Sequence, residues 1–185
     1  LTKTIGRVIT RNDITQVKRA LDIGAQTLMF PFVQNADEAR RAVSATRYPA
    51  VAEAFPGMRG FAAMHRGSRY ATVADYGKRA NAGIFRIIQL ETPQAIERLE
   101  EIAAVDGVDA LFVGPGDLSA AMGHIGDIGH AEVQSALKDA AARARAAGKP
   151  IGIVGPPPEM VQRFIEFGYT YVVVAWDMGM MVRQA

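Results

Sequence analysis

Short apolar runs alternate along the chain with longer segments in which apolar residues recur every three or four positions. The first run, residues 5–10, precedes a segment in which Ile14, Val17 and Leu21 fall on one helical face, and Gly24 follows as a helix stop. This alternation continues along the chain and predicts strands that are each followed by a helix or a helix start. The predicted strands cover residues 5–10, 27–33, 84–91, 110–114, 150–155 and 171–177. The predicted helices lie within residues 11–24, 35–48, 72–82, 93–104, 117–122, 131–147 and 158–167.

A longer segment interrupts the alternation. Residues 47–70 show no clean period and contain two prolines and four arginines. A connection of this length is typical of a functional loop, so we expect a long loop with one short helical piece. Its Arg59, Arg66 and Arg69 can pair with a second carboxylate of an acidic substrate if the loop closes over it, although solvated arginines are the commoner outcome.

Repeated strand–helix units indicate an α/β protein with a parallel sheet and helices outside it. The strands are apolar at nearly every position, which is typical of strands that are covered on both faces. A doubly wound sheet and a (β/α) barrel both meet this description. An eight-stranded barrel needs about 250 residues. Six strands in 185 residues therefore fit a complete open sheet or a barrel that lacks two strand–helix units.

Composition narrows the possible partners. With 185 residues, 49% of them hydrophobic, the chain is expected to form one domain. The formal net charge is +2 and no basic run occurs, which argues against a nucleic-acid partner. The longest apolar runs, such as residues 171–176, are far shorter than the roughly 20 residues that span a bilayer, so no membrane partner is expected. The absence of cysteine excludes disulfides, thiolate nucleophiles and cysteine-ligated zinc, and it is compatible with a cytoplasmic protein.

Two acidic residues stand at the carboxyl ends of predicted strands. Glu91 closes the strand 84–91, and Asp117 follows the turn after the strand 110–114. In both parallel architectures the ligand crevice lies at this edge of the sheet. Two carboxylates there can hold Mg²⁺ or Mn²⁺ and leave other positions for water and substrate. The alternative is that each acid only caps the helix that follows it.

The turn before Asp117 consists of two glycines and a proline. Gly114, Pro115 and Gly116 join the strand to the helix start. Gly116 lets a ligand approach the backbone, and the N–H groups of Gly116 and Asp117 can bind an anion such as a carboxylate. A tight strand-to-helix turn uses the same residues without any ligand.

Two histidines follow further along the chain. His130 is predicted to begin a helix and His124 to make a loop contact, since catalysis by either is the less common outcome.

Several strings of the sequence resemble one enzyme family. They are "LDIGAQTLMFPFVQNADEARRAVSATRYP", "RIIQLET", "VDGVDALFVGPGDLSAAMGHIGD", "GKPIGIV" and "FGYTYVVVAWDMGMM". They are similar to the metal-dependent hydroxy-oxo-acid aldolases, the group of hydroxy-oxo-heptanedioate and dehydro-deoxy-glucarate aldolases, which is related to the citrate lyase β subunit. The resemblance implies a (β/α)₈ TIM barrel whose first two strand–helix units are missing before Leu1. We therefore expect residues 1–185 to form a single barrel domain that is incomplete at its N-terminus.

The resemblance also implies an activity. It is that of a class II aldolase, a carbon–carbon lyase that reversibly cleaves 4-hydroxy-2-oxo acids to an aldehyde and pyruvate or a similar 2-oxo acid, in the catabolism of aromatic compounds or sugar acids. A divalent ion is implied, Mg²⁺ or Mn²⁺ with Co²⁺ as a further candidate, and so is a homo-oligomer, a trimer or a hexamer. Two alternatives remain: a lyase of the citryl- or malyl-coenzyme A type, and a noncatalytic truncated barrel that binds metal and a 2-oxo acid.

The same resemblance suggests a role for individual residues. Glu91 and Asp117 match the two metal ligands of the family. Gln89 matches a substrate-contacting glutamine, and Gly116 with Asp117 matches the backbone that holds the carboxylate of pyruvate. Val154 matches a position that lines the substrate pocket and influences which aldehyde is accepted.

Two implied catalytic residues depart from the family pattern. Asp22 matches an acid that tunes a catalytic histidine, but that histidine, the general base, is expected upstream of Leu1. Arg7 is similar to an arginine that stabilises the developing charge, yet it lies one residue out of register, and Val8 occupies the matching position. A catalytic role of Arg7 therefore requires a small local shift of the backbone.

Overall fold

The computed structural model of the chain describes residues 5–7, 13–49, 56–155 and 158–184. A parallel sheet of six strands has the order β1-β2-β3-β4-β5-β6. The strands are β1 (Ile5–Arg7), β2 (Thr27–Phe30), β3 (Phe85–Leu90), β4 (Ala110–Val113), β5 (Ile151–Val154) and β6 (Tyr171–Val173). The helices are α1 (Ile14–Asp22), α2 (Ala36–Thr46), α3 (Tyr76–Arg79), α4 (Pro93–Glu97), α5 (Leu99–Ala103), α6 (Pro115–Ala121), α7 (Ala131–Ala146), α8 (Pro158–Phe167) and α9 (Asp177–Gln184).

The strand order distinguishes the two architectures that the sequence leaves open. A doubly wound sheet reverses its strand order partway, whereas a (β/α) barrel adds its strands in sequence. Here each strand pairs in parallel with the next strand of the chain, and in the described residues β1 and β6 are the two edges of the sheet. The α/β prediction is confirmed, and the consecutive order is that of a barrel wall.

The two faces of the sheet are packed differently. Alternate side chains of the strands, such as Leu28, Phe30 and Ile88, belong to a large core that includes the helices. The intervening side chains face the other way, and Met29 and Ile87 lie there in a small apolar cluster. Because side chains alternate between the faces of a strand, this second face is the inner face of the barrel wall.

Local chemistry explains where several helices begin. The carboxylate of Asp13 accepts the N–H of Thr15 at the start of α1 (2.8 Å). The side chain of Asn35 caps α2 by accepting the N–H of Glu38, whose own carboxylate accepts the N–H of Gln34. Each cap satisfies N–H groups that have no partner inside the helix, and both helices lie within the ranges that the sequence predicts.

Four predicted elements differ from the structure, and the first is the strand expected over 27–33, which ends at Phe30. The helix expected within 93–104 is divided between α4 and α5, because Arg98 leaves the helical conformation (φ −98°, ψ 20°). The helix expected within 72–82 is reduced to α3 and a 3₁₀ turn, because Asp75 adopts a left-handed conformation (φ 53°) that interrupts any helix before Tyr76. The strand expected to reach residue 177 ends at Val173, and α9 follows it.

None of the described helices combines the length and apolar character that crossing a bilayer requires.

Candidate metal and substrate site

The pairing of β3 with β4 brings two predicted site segments together. Leu90, the last residue of β3, is in register with Val113, the last residue of β4, and the N–H of Gly114 donates to the carbonyl of Leu90 (3.1 Å). Glu91 and Gly114 therefore follow neighbouring strands at the same edge of the sheet. Alternation along β3 also places Gln89 on the inner face, because Ile87 lies in the inner apolar cluster.

The carboxylate of Glu91 is buried and held in place by two N–H donors. The side-chain amide of Gln89 donates to Oε1 (2.7 Å), and the backbone N–H of Phe32 donates to Oε2 (2.8 Å). Glu91 is only 2% exposed. Phe32 adopts a positive φ of 56°, which is uncommon for a bulky residue and recurs at functional sites. This turn after β2 directs the Phe32 N–H to Glu91.

Gly114 is required by the close approach of Glu91. A Cβ atom at this position would lie 2.7 Å from Oε1 of Glu91 and 3.0 Å from Nε2 of Gln89. The contrast with Gly116 is clear, since a Cβ there meets nothing within 4 Å. Gly116 lies in the first turn of α6, where backbone N–H groups have no partner inside the helix. Its backbone is therefore open to a ligand.

Neither acid is the N-cap of the helix that follows it. Thr92 caps α4, its hydroxyl accepting the N–H of Ala95 (3.2 Å), and Gly114 is the N-cap of α6. Glu91 precedes the first cap, and Asp117 lies inside the first turn of α6 with an exposed side chain. The capping alternative is therefore wrong for both residues, although Asp117 remains favourably placed at the positive end of a helix dipole.

The donor atoms at this edge fit a hard divalent cation. Glu91 offers a buried carboxylate, and Asp117 offers an exposed one on the adjacent connection. Oε1 of Gln89 is buried and accepts no hydrogen bond from the described residues. Mg²⁺ and Mn²⁺ prefer oxygen ligands and are commonly held by one or two carboxylates together with water and substrate. We refer to Gln89, Glu91, Gly114, Gly116 and Asp117 as the carboxyl-end site.

Two further predicted residues lie on strands of the same sheet. Val154 ends β5 and packs against the inner apolar cluster, so it is on the face that carries Gln89. Arg7 ends β1 in register with Met29, but its side chain lies outside the described residues. Val8 and Arg11 lie outside them as well.

Asp22 is not brought to the carboxyl-end site. It ends α1, near the amino end of β2, and its carboxylate pairs with Lys18 and with Nη2 of Arg59 (2.9 Å). Nε2 of His65 lies 3.8 Å from the same carboxylate and 3.3 Å from the hydroxyl of Tyr48. Burial alone raises the pKa of Asp22, but the hydrogen bonds from Lys18 and Arg59 outweigh it and hold this pKa below its usual value. These five residues form what we call the amino-end cluster.

Arg59 is not solvated, although solvation is the commoner outcome for loop arginines, and its guanidinium already has a partner within the protein. Its side chain is fully buried, stacks over the ring of Tyr48 at 4.3 Å and pairs with Asp22. The connection that carries it joins the end of α2 to the start of β3, so it lies toward the amino ends of the strands, as do the exposed Arg66 and Arg69. The described part of this connection, residues 56–84, therefore does not cover the carboxyl-end site.

The site also contains a residue that the sequence reasoning missed. Phe32 supplies a backbone N–H to Glu91, 59 residues away in the chain. An apolar run ending in Pro31 and Phe32 is indistinguishable from the end of a buried strand by its pattern. The only available signal is Pro31, since a proline within an apolar run marks a strand end or a bulge.

Comparison with known proteins agrees with this geometry. The family described as HpcH/HpaI aldolase/citrate lyase matches residues 2–184. A 2-dehydro-3,6-dideoxy-6-sulfogluconate aldolase of Pseudomonas putida is 52% identical over 96% of this chain and 68% of its own length. A 4-hydroxy-2-oxo-heptane-1,7-dioate aldolase of Klebsiella pneumoniae is 46% identical over 94% of this chain, which spans 64% of that protein. The crystal structure of a family protein from Burkholderia cenocepacia, 38% identical, superimposes with a TM-score of 0.93 over 98% of this chain and 70% of that one. The chain therefore belongs to the HpcH/HpaI aldolase/citrate lyase family.

Proposed function

We propose that the chain carries the metal- and 2-oxo-acid-binding site of a class II aldolase. This carbon–carbon lyase reversibly cleaves 4-hydroxy-2-oxo acids to an aldehyde and pyruvate or a similar 2-oxo acid. The observation that carries the proposal is the carboxylate of Glu91, which is buried at the end of β3 and touches Gly114, where the helix bearing Asp117 begins. The relatives named as aldolases of a sulfogluconate and of a heptanedioate support the substrate class.

Glu91 and Asp117 would hold the ion. Their oxygen donors favour Mg²⁺ or Mn²⁺, with Co²⁺ as a further candidate. When bound, such an ion supplies Lewis-acid polarisation of a substrate oxygen. Gln89 positions Glu91 through its amide N–H, and this hydrogen bond fixes the carboxylate before any ligand arrives.

The backbone and the inner face provide the remaining contacts of the substrate. We assign the N–H groups of Gly116 and Asp117 to the carboxylate of the 2-oxo acid, because the first turn of a helix favours an anion. Val154 is on the inner face at the end of β5, where its apolar side chain would contact the aldehyde part of the substrate. A larger side chain at Val154 would then change which aldehydes are accepted.

The reaction needs two proton transfers, one when the C3–C4 bond breaks and one when the 2-oxo acid forms. The C4 hydroxyl of the substrate loses its proton, the C3–C4 bond breaks, and the aldehyde leaves while the electron pair spreads from C3 to the C2 oxygen. A proton then returns to C3 to give the 2-oxo acid. The histidine base, its tuning by Asp22 and the stabilisation of charge by Arg7 stay predictions. So do the trimer or hexamer and the cytoplasmic location.

The test pairs an assay of turnover with an assay of binding. Aldol cleavage of 4-hydroxy-2-oxo acids is measured with and without Mn²⁺, and binding of oxalate, a planar mimic of the pyruvate enolate, is measured calorimetrically under the same conditions. We expect Asp117→Ala to lower metal-dependent cleavage by about a thousandfold and to abolish the metal dependence of oxalate binding. Asp127→Ala removes an exposed acid from the connection after the same helix and should leave both unchanged.

Three results would contradict the proposal in different ways. Unchanged metal-dependent cleavage by Asp117→Ala would refute the ligand assignment. Cleavage of a malyl or citryl thioester alone would favour the coenzyme A lyase. Metal-dependent oxalate binding by a protein that cleaves neither class of substrate would favour the noncatalytic barrel.

A further inference from the structure

A second group of metal-ligating side chains lies outside the carboxyl-end site, on the connection from α6 to α7. His130 is the N-cap of α7, as the sequence predicts, and its Nδ1 accepts the N–H of Glu132 (3.3 Å). Nε2 of His124 lies 2.9 Å from Oε2 of Glu132. The two imidazole rings are stacked, with centroids 3.6 Å apart and planes inclined by 16°.

These three side chains already converge without any ion. One donor atom from each of His124, His130 and Glu132 lies within 4.8 Å of the other two. The side chain of His124 is 23% exposed and that of Glu132 is 68% exposed, so an ion from solvent can reach both. Two imidazole nitrogens and one carboxylate form a donor set that is typical of zinc sites with an open fourth position.

We propose that His124, His130 and Glu132 form a binding site for a borderline transition-metal ion, best matched by Zn²⁺ and separate from the carboxyl-end site. The donor chemistry separates the two sites. Imidazole suits Zn²⁺ and its neighbours in the first transition series, whereas Mg²⁺ and Mn²⁺ suit the carboxylates of Glu91 and Asp117. This inference does not rest on the proposed function, because all three of its residues are outside the aldolase site.

Binding of an ion by His124, His130 and Glu132 would change three interactions among these side chains. In a close stack the nitrogen lone pairs of the two rings lie in almost parallel planes, so the rings must tilt for both lone pairs to point at one ion. The ion replaces the contact between His124 and Glu132. It also ends the capping bond of His130, because a neutral imidazole that ligates through one nitrogen carries its proton on the other. The interactions that are lost are one long capping hydrogen bond, one exposed contact between His124 and Glu132, and one ring stack.

The ion would tie the start of the connection to the first turn of α7. His124 follows α6 closely, whereas His130 and Glu132 belong to the beginning of α7. A bound Zn²⁺ would therefore close residues 124–132 into a loop. We expect the backbone amides of this loop to exchange their hydrogens more slowly with Zn²⁺ than without it.

The affinity test removes the other metal site first. In the double variant Glu91→Gln/Asp117→Asn, Zn²⁺ is titrated against a chromophoric chelator. We expect one zinc ion per chain, and we expect His124→Gln or Glu132→Gln in this background to weaken it by roughly tenfold or more. Asp127→Asn is the matched control, since it removes an exposed acid from the same connection that is not one of the three ligands, and it should bind Zn²⁺ as before.

A second measurement uses the unaltered protein and does not depend on how the variants fold. The chain has three histidines, so its imidazole NMR signals are few. Zn²⁺ should shift those of His124 and His130 and leave that of His65, while Mg²⁺ at the same concentration should shift none of them. Equal zinc affinity in His124→Gln, no zinc bound by the double variant, or a zinc shift confined to His65 would each overturn the proposal. None of these results bears on aldol cleavage.

Discussion

The carboxylates of Asp22 and Glu91 are both shielded from solvent at opposite ends of the sheet, but their surroundings differ. In the amino-end cluster, Asp22 contacts two cations, Lys18 and Arg59. In the carboxyl-end site, Glu91 accepts hydrogen bonds from two uncharged groups, the amide of Gln89 and the backbone N–H of Phe32. Cations bind Asp22 directly in the first network, whereas in the second network the hydrogen bonds of Gln89 and Phe32 orient the carboxylate of Glu91.

This difference separates a stabilising network from a binding network. The guanidinium of Arg59 is fully buried, and Nη2 bonds to Asp22, whereas Nε and Nη1 find no hydrogen-bond partner in the described residues. Such a group depends on its counter-charge to remain buried. In the carboxyl-end site, by contrast, Oε1 of Gln89 accepts no hydrogen bond from any described residue and the backbone at Gly116 is open, and a ligand can use both features. Substitutions in the first network should therefore affect folding, and those in the second should affect binding.

The largest effect on stability is expected from Asp22→Asn. The amide cannot compensate the charge of Arg59, which stays buried, and breaking a buried pair in this way costs about 3–5 kcal/mol of unfolding free energy. Urea denaturation followed by circular dichroism measures the loss. Asp37→Asn is the control, because Asp37 forms an ion pair with Arg40 on the surface, with 83% of the Asp37 side chain exposed. The unfolding free energy of Asp37→Asn should fall by no more than about 0.5 kcal/mol. Equal losses in Asp22→Asn and Asp37→Asn would show that the Asp22 network does not stabilise the fold more than a surface ion pair does.

The sequence predicts the strands and the carboxyl-end acids because both follow from local pattern. Apolar runs define β2 to β5, and the position of Glu91 at the end of β3 is visible without any tertiary contact. The pairing of Arg59 with Asp22 is different, since 37 residues separate them and Arg59 lies in a segment with no periodicity. An arginine in a loop is normally solvated. Only the three-dimensional packing of this segment on α1 reveals that Arg59 is buried.

The sequence predicts the glycines of the carboxyl-end site but not their different roles. Gly114 and Gly116 look equivalent in the sequence, and both are consistent with a tight turn. The structure shows that Gly114 is needed because Glu91 approaches it, whereas Gly116 faces open space. This difference depends on the register of β3 with β4 and on the rotamer of Glu91, neither of which a single sequence specifies.

A substitution at Gly114 tests whether the packing around Glu91 matters for binding. The methyl group of Gly114→Ala would overlap Oε1 of Glu91 and displace the carboxylate or the amide of Gln89. We expect Mn²⁺ affinity to fall by about 10- to 100-fold, with a much smaller change in unfolding free energy than in Asp22→Asn. Gly83→Ala is the control, since a Cβ at Gly83, unlike one at Gly114, meets nothing within 4 Å and Gly83 is remote in sequence from the site. Unchanged Mn²⁺ affinity in Gly114→Ala would show that the ion does not depend on the placement of Glu91.

The smallest effect is a pH dependence that belongs to the amino-end cluster alone. Hydrogen bonds from Lys18 and Arg59 hold the pKa of Asp22 below its usual value in the folded protein. A carboxyl group with a lowered folded pKa contributes stability that is fully present above its unfolded pKa of about 3.9 and is lost as the pH falls through the folded value. The difference in unfolding free energy between the unaltered protein and Asp22→Asn should therefore be constant from neutral pH down to about pH 5 and shrink in more acidic solution. If this difference in unfolding free energy stays constant in strong acid, Lys18 and Arg59 do not stabilise the charged form of Asp22. The amino-end cluster would then differ from the surroundings of Glu91 only in which groups donate the hydrogen bonds.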